Sequence, residues 1–326
     1  MKQEHIQEIR DCLSGGRILY HYFKDRYALM LLSYIVAEGR EVHQMKNSHF
    51  GRLLRKPLIK TILKNSGGGI LSQKELGSIW PPDFESYRLT IDQWGRRRRY
   101  ARLFNQTSRP GWNLVLQLNF STKHDRMYRK LVRPKWGSPF TCYGHPVVRK
   151  GQQTLAWARL DISMETDEAL IEEIQTDWIR MAVSAMESLK SYEKARKRGE
   201  RHNTPQIVRM TDCDAVLLKR YLEDVLSPHM KIWDEAMLSA AIWFLKEEIG
   251  INRIFYHTFD FGCRLKNISV HKPPRSLYTQ LPAKFCFKET RKAPSFLRPN
   301  NYRSTQRLLK SGETLFYLLD FSDRNS

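Results

Sequence analysis

Residues Thr154–Trp178 read TLAWARLDISMETDEALIEEIQTDW, and this stretch decides the fold. In its first half Leu155, Trp157, Arg159 and Asp161 alternate with Ala156, Ala158 and Leu160. A period of two is the signature of a strand. Asp167-Glu168 supplies turn chemistry, and Ala169–Gln175 is a second strand. Strict alternation sets Leu170, Glu172 and Ile174 on one side of that strand. It sets Ile171, Glu173 and Gln175 on the other, with Asp177 continuing that side. Apolar packing does not explain Glu172, Glu173, Gln175 or Asp177. A buried charge without a partner costs several kcal/mol, so these groups pair, face solvent or bind something. Arg159 opposite Glu173 is the internal pair that the pattern predicts.

After the hairpin a long helix is expected over Ile179–Gly199, closing in Lys190, Lys194, Arg196, Lys197 and Arg198 before Gly199. Cations in a last turn followed by glycine make a favourable helix end. Further helices are expected over Asp212–Leu226 and Trp233–Ile249. Strands follow at Ile251–Thr258, Phe285–Phe287 and Thr314–Phe321, with a short helix around Ser276–Pro282. His257 reads as a core or edge histidine, and Trp178 and Trp233 as packing anchors.

Before the hairpin, apolar residues at three- and four-residue spacing predict two helices over Glu4–Ala37, broken at Ser14-Gly15-Gly16. Another helix is expected over Phe50–Lys64, with Pro57 kinking or restarting it. Strands are expected at Tyr87–Ile91 and Asn113–Phe120. A helix over Ser121–Leu131 would carry Lys123, Arg126, Arg129 and Lys130 outward, with His124 at the surface. Trp80-Pro81-Pro82-Asp83 marks a seam, so the expected organisation is a helical basic region at 1–80 and an α+β domain at 81–326.

The 326 residues carry a formal net charge of +21. A balance so far from neutral points to a polyanion partner, with nucleic acid first. Gly95-Arg96-Arg97-Arg98-Arg99-Tyr100-Ala101-Arg102 is the densest basic run. Arg96, Arg97, Arg98, Arg99 and Arg102, with Tyr100 among them and Arg109 following, suit phosphate contact and base stacking. No apolar run approaches the roughly 20 residues of a spanning helix, so no membrane partner is expected. A protein partner stays open. Five scattered cysteines without a CxxC pair indicate neither a disulfide framework nor a zinc site, and suit a cytoplasmic setting.

Two resemblances follow from these residues. Helix Trp233–Ile249, Gly250, strand Ile251–Thr258 and then SLYTQLPAKFCF resemble the back half of a GNAT-type acyltransferase fold. That resemblance covers about 151–321 and implies a mixed, mainly antiparallel sheet flanked by helices. It also implies Glu173 as a general base, Tyr278 as the acid toward a leaving thiolate, and Arg159 as an orienting group. Glu172-Glu173-Ile174-Gln175-Thr176-Asp177-Trp178, with Trp233 and Leu277-Tyr278…Leu281-Pro282, is similar to an uncharacterised "EEIQSDW" domain of phage and prophage large polyproteins. The setting it implies is a mobile element or phage defence. One departure bears on the cofactor. An acyl-CoA pyrophosphate needs a glycine-rich turn at a helix N-terminus, whereas Thr176-Asp177-Trp178-Ile179-Arg180 has no glycine and an acid.

Three readings stay open at this level. One is a basic nucleic-acid- or partner-binding protein in which the acids make salt bridges. Another is a nuclease in which Asp161 and Glu173 hold Mg²⁺ while Gln175 positions water. A third is an acyltransferase-like enzyme using Glu173 and Tyr278. The catalytic candidates are Glu173, Gln175, Asp177, Tyr278 and Arg159.

Overall fold

A computed structural model describes residues 1–12, 18–36, 39–67, 69–96, 106–148, 151–270, 272–298, 303–313 and 315–322. They form a mixed α+β fold on one eight-stranded sheet. Its strands are β1 (Ile18–Tyr22), β2 (Glu85–Arg96), β3 (Gly111–Asn119), β4 (Thr154–Ser163), β5 (Glu168–Gln175), β6 (Arg253–His257), β7 (Lys288–Thr290) and β8 (Phe316–Asp320). Their order across the sheet is β1-β2-β3-β4-β5-β6-β8-β7. Every neighbouring pair is antiparallel except β5 and β6.

The helices that matter below are α1 (Gln3–Cys12), α2 (Arg26–Val36), α3 (Thr122–Val132), α4 (Asp177–Lys197), α5 (Trp233–Trp243) and α6 (Phe259–Leu265). A parallel pair needs a crossover, and the chain from α4 through α5 supplies it between β5 and β6. One face of the sheet packs under α1 to α5, while α6 sends Phe261 and Leu265 to the other. The helix-side core joins Ile6, Tyr27 and Leu31 to Leu116, Leu160, Ile171, Trp178, Leu238 and Tyr256. The other face carries smaller apolar groups: Leu170 with Phe255, Phe261 and Phe316, and Val115 with Val147 and Trp157.

The hairpin turn fixes the parallel register. Asp167 takes a left-handed φ of 51°. Its carboxylate accepts from the Asn252 amide N–H at 2.7 Å and from Asn252 Nδ2 at 2.9 Å. The residue after each of these begins a paired strand, Glu168 opposite Arg253.

Five expectations change. The first 37 residues are not helix alone: β1 lies between α1 and α2 and pairs with β2. The ILYHY segment alternates as an edge strand, and Ser14–Gly16 hid its start. Residues 50–64 split into a 3-10 turn, His49–Arg55, and a helix, Pro57–Asn65, which Pro57 begins. His124 is buried rather than exposed, its ring stacked at 3.4 Å on Phe120. Phe285–Phe287 is no strand, because Cys286 adopts φ 61° and breaks the extended path while both phenylalanines enter the core. The strand starts three residues later than expected, at Lys288.

The fifth change matters most for function. Arg159 pairs with Glu173, yet Leu160 pairs with Ile171. One extra residue in β5 makes a β-bulge, which breaks strict alternation. Ile171 and Ile174 therefore both enter the helix-side core. Glu172 and Glu173 both reach partners on the opposite side, His257 and Arg159.

Candidate functional site

β5 and β6 stay paired only as far as Ile171 and Tyr256. Past that point lie the bulge and the end of β6, the position where open sheets with parallel strands gather ligands. Two groups of polar residues stand there, one closed and one open.

The closed group centres on Glu172, which is fully buried. Its carboxylate accepts from the Ser108 amide N–H and the Ser108 hydroxyl, both at 2.8 Å. His257 Nε2 lies 3.0 Å from the same carboxylate and 3.0 Å from Ser108 Oγ. Lys266, the C-cap of α6, sends Nζ to the Glu172 backbone carbonyl at 2.6 Å. It takes the place of a strand amide just past the last paired residues. Gly262 is required here, because a Cβ on it would stand 2.8 Å from His257 Cβ.

Burial opposes a charge on Glu172. The hydrogen bond from His257 and the charges of Lys266 and Arg159 outweigh it, and hold the carboxyl below the usual carboxylate range. Burial pushes His257 down, so the imidazole is neutral near pH 7. Lys266 is likewise pushed down by burial. Ser108 beside His257 is no nucleophile–base pair. Its hydroxyl proton goes to Glu172, and Glu172 meets the same nitrogen as Ser108, whereas a triad needs the acid on the far nitrogen. His257 Nδ1 is left as an acceptor with no donor among the described residues.

Arg159 and Glu173 join the closed group to the open one. Arg159 is 1% exposed and pairs with Glu173, whose side chain is 12% exposed. Arg159 also donates to the Gln106 carbonyl at 3.2 Å and lies 5.6 Å from the Trp94 ring centre. Tyr278 reaches this region from the helix side. Its ring stacks on Tyr256 at 5.4 Å. Burial, then the charges of Tyr256 and Glu173, push its pKa well up. Neither the Tyr278 nor the Tyr256 hydroxyl has a hydrogen-bond partner among the described residues.

The open group continues along the same sheet face. Thr176 caps α4, and Asp177 is its first residue. The Asp177 carboxylate accepts four donors: His145 Nδ1 at 2.8 Å, Trp157 Nε1 at 3.2 Å, Gln175 Nε2 at 2.7 Å and Arg180 at 2.6 Å. Burial opposes this charge too, and the hydrogen bonds from His145, Trp157 and Gln175 hold its pKa down. Cys142 completes the group. Its sulfur, a His145 nitrogen and an Asp177 oxygen lie within 4.8 Å of one another. Cys142, His145 and Gln175 are half-buried, so solvent reaches this end.

The structure thus brings Arg159, Glu173, Gln175 and Asp177 into one row on one face. Asp161 is engaged elsewhere, by Arg109 at 2.7 Å through both Nε and NH2. Glu173 is held by Arg159 and Gln175 by Asp177, so the three residues of the Mg²⁺ reading have three different partners. Arg96 closes β2 opposite Gly111. Arg97, Arg98, Arg99, Tyr100 and Arg102 lie outside the described residues. A cavity of about 830 Å³ lies apart from the row, lined by His5, Glu8, Ile9, Cys12, Arg109 and Met164.

Sequence reasoning missed Cys142, His145, Ser108 and Lys266. For the first two a signal existed: TCYGH is a Cys-x-x-His spacing that a search for CxxC passes over. Ser108 and Lys266 carry no local signal, since only tertiary packing brings them to Glu172. No helix among the described residues is long and apolar enough to cross a membrane. Comparison with family models, with curated proteins and with solved structures finds no match.

Proposed function

We propose that this protein binds nucleic acid through its cationic surface, on a scaffold of GNAT-like type. The observation that carries the reading is the outer face of α3. Lys123, Arg126, Arg129, Lys130 and Arg133 are all exposed. At 3.6 residues per turn the four inside the helix occupy an arc of about 120°, and Arg133 is its left-handed C-cap. The opposite arc, His124, Asp125, Tyr128, Leu131 and Val132, is buried. The one acid in the helix, Asp125, is thereby turned inward, toward His124 Nδ1 at 3.2 Å. Glu85 lies within electrostatic reach of Lys123, and Asp212 pairs with Lys135.

Like charges three and four residues apart oppose one another by ~0.2–0.5 kcal/mol per pair. A polyanion relieves that repulsion and releases its own counterions. Trp136, 62% exposed, follows directly and offers a stacking surface. The formal net charge of +21 agrees in sign. A mobile-element or phage-defence setting, as the EEIQTDW stretch suggests, suits a nucleic-acid partner.

Support for the GNAT-like reading comes from the order of elements: helix Trp233–Trp243, strand Arg253–His257, the turn Arg275–Tyr278, and the closing strands Lys288–Thr290 and Phe316–Asp320. One helix, Phe259–Leu265, stands between the strand and the tyrosine. An acyl-transfer chemistry is less well supported than the scaffold. Tyr278 is buried and Glu173 is held by Arg159.

Anisotropy of labelled single-stranded and duplex oligonucleotides, titrated from 50 to 200 mM salt, tests the reading. Binding should weaken steeply with salt. Replacing Lys123, Arg126 and Lys130 by alanine should reduce the slope of log K against log salt by ~0.9 for each duplex phosphate that is no longer neutralised. A salt-independent signal, or a slope unchanged in the triple variant, overturns it.

A further inference from the structure

We propose that Cys142, His145 and Asp177 form a binding site for one divalent metal ion, zinc by ligand type, with Gln175 beside it. A thiolate, an imidazole and a carboxylate are the mixed soft and intermediate donors that zinc takes, and a Cys/His/Asp set excludes Mg²⁺ and Ca²⁺, which prefer oxygen alone. The donors come from two elements. Cys142 and His145 lie three residues apart on the loop after α3, and Asp177 opens α4. Their ligand atoms already lie within 4.8 Å of one another. Around a tetrahedral zinc such atoms stand roughly 3.3–3.8 Å apart. Small side-chain rotations therefore complete the set, with His145 and Asp177 parting slightly from 2.8 Å.

The hydrogen bonding agrees with this. His145 Nδ1 has two close neighbours, Asp177 Oδ2 at 2.8 Å and Gln175 Nε2 at 3.2 Å. One ring nitrogen does not donate to the first and accept from the second at once. A cation at this position uses the nitrogen lone pair directly and replaces the proton shared with Asp177. Three other donors, from Trp157, Gln175 and Arg180, stay on the carboxylate and orient it, as outer-shell groups do for a metal ligand. The imidazole proton moves to Nε2, and the Cys142 thiol releases its proton to solvent on binding. Thiolate and carboxylate together neutralise the ion. Half-burial of Cys142, His145 and Gln175 leaves an entry path from solvent, which would supply the fourth ligand.

The test uses the full chain, freed of metal by a chelator and titrated with Co²⁺, then Zn²⁺. One equivalent of Co²⁺ should give a near-ultraviolet thiolate-to-cobalt band and tetrahedral visible bands, both erased by one equivalent of Zn²⁺. Cys142→Ser should lose the near-ultraviolet band, whereas Cys12→Ser should keep it. Gln175→Leu should weaken Zn²⁺ binding ~10- to 100-fold. Iodoacetamide labelling read by mass spectrometry checks the wild-type chain without any variant: Zn²⁺ should protect Cys142. Cobalt bound without a thiolate band, or a band surviving in Cys142→Ser, overturns the proposal. So does alkylation of Cys142 at a rate that Zn²⁺ leaves unchanged, the outcome that fits a thiol nucleophile paired with His145.

Discussion

Glu172 and Asp177 lie on one short stretch of chain, both buried and both rich in hydrogen bonds, yet their surroundings differ in kind. Around Glu172 the shell is shut: Ser108, His257 and Lys266 are themselves buried. Around Asp177 the shell is mixed, with Trp157 inside and His145, Gln175 and Arg180 toward solvent. The first carboxylate organises the interior, while the second organises a group of side chains open to solvent. Residue type and hydrogen-bond count do not separate these two acids. The exposure of the partners does.

Removing each centre sharpens the contrast. Glu172→Ala strips the acceptor from the Ser108 donors and from His257, and leaves Lys266 without its nearby charge. A broken buried charge network of this kind costs ~3–5 kcal/mol. Urea denaturation measures it, and a loss below ~1 kcal/mol would mean that the closed group is not structural. Acid should also act on the buried histidines, of which His257 belongs to the closed group while His124 and His229 pack against Phe120. His257, His124 and His229 are all pushed down by burial, His229 to about 3. The unfolded chain therefore takes up protons below pH 6.5 that the folded chain refuses. His229 removes ~1.4 kcal/mol of stability per pH unit once the pH is well below 6.5 and above about 3, and His257 and His124 act in the same direction. Glu172 works in a lower window: its depressed pKa stabilises the fold above about 4.5, and that contribution is lost as the pH falls below it through the folded pKa. A denaturation midpoint flat between pH 7 and 5 would contradict the neutral histidines. The smallest effect is expected at Tyr278→Phe, which deletes a buried hydroxyl lacking a partner among the described residues. Stability should hold or rise by up to ~1 kcal/mol. A loss above that value would show that the hydroxyl has a partner after all.

The hairpin, the α+β class and the Arg159–Glu173 pair were legible because period-two patterning and opposite charges are local signals. The bulge was not. Leu170-Ile171-Glu172-Glu173-Ile174 reads equally well as plain alternation, and only the register against Arg159 and Leu160 shows the extra residue. β1 was hidden for a related reason: a five-residue edge strand between two helices is outweighed by their longer apolar pattern. Of the open group, Gln175 and Asp177 stood out as polar residues near a strand end. Their partners Cys142 and His145 sat in a Pro- and Gly-rich loop, where spacing alone carries little weight. Ser108 and Lys266 are far from Glu172 in sequence, and tertiary packing alone reveals them.

The clamp between Asp167 and Asn252 has a kinetic meaning. Those residues are 85 apart in the chain. Closing a loop of that length costs about 4 kcal/mol in chain entropy before any parallel pairing rewards it. The β4–β5 hairpin is local and closes early. Its turn then presents a carboxylate already bent into position, on which the start of β6 latches in register. The rate at which the chain reaches its native topology should therefore depend on one turn residue, far from either polar group, that contributes little to the apolar core: Asp167→Ala should slow refolding.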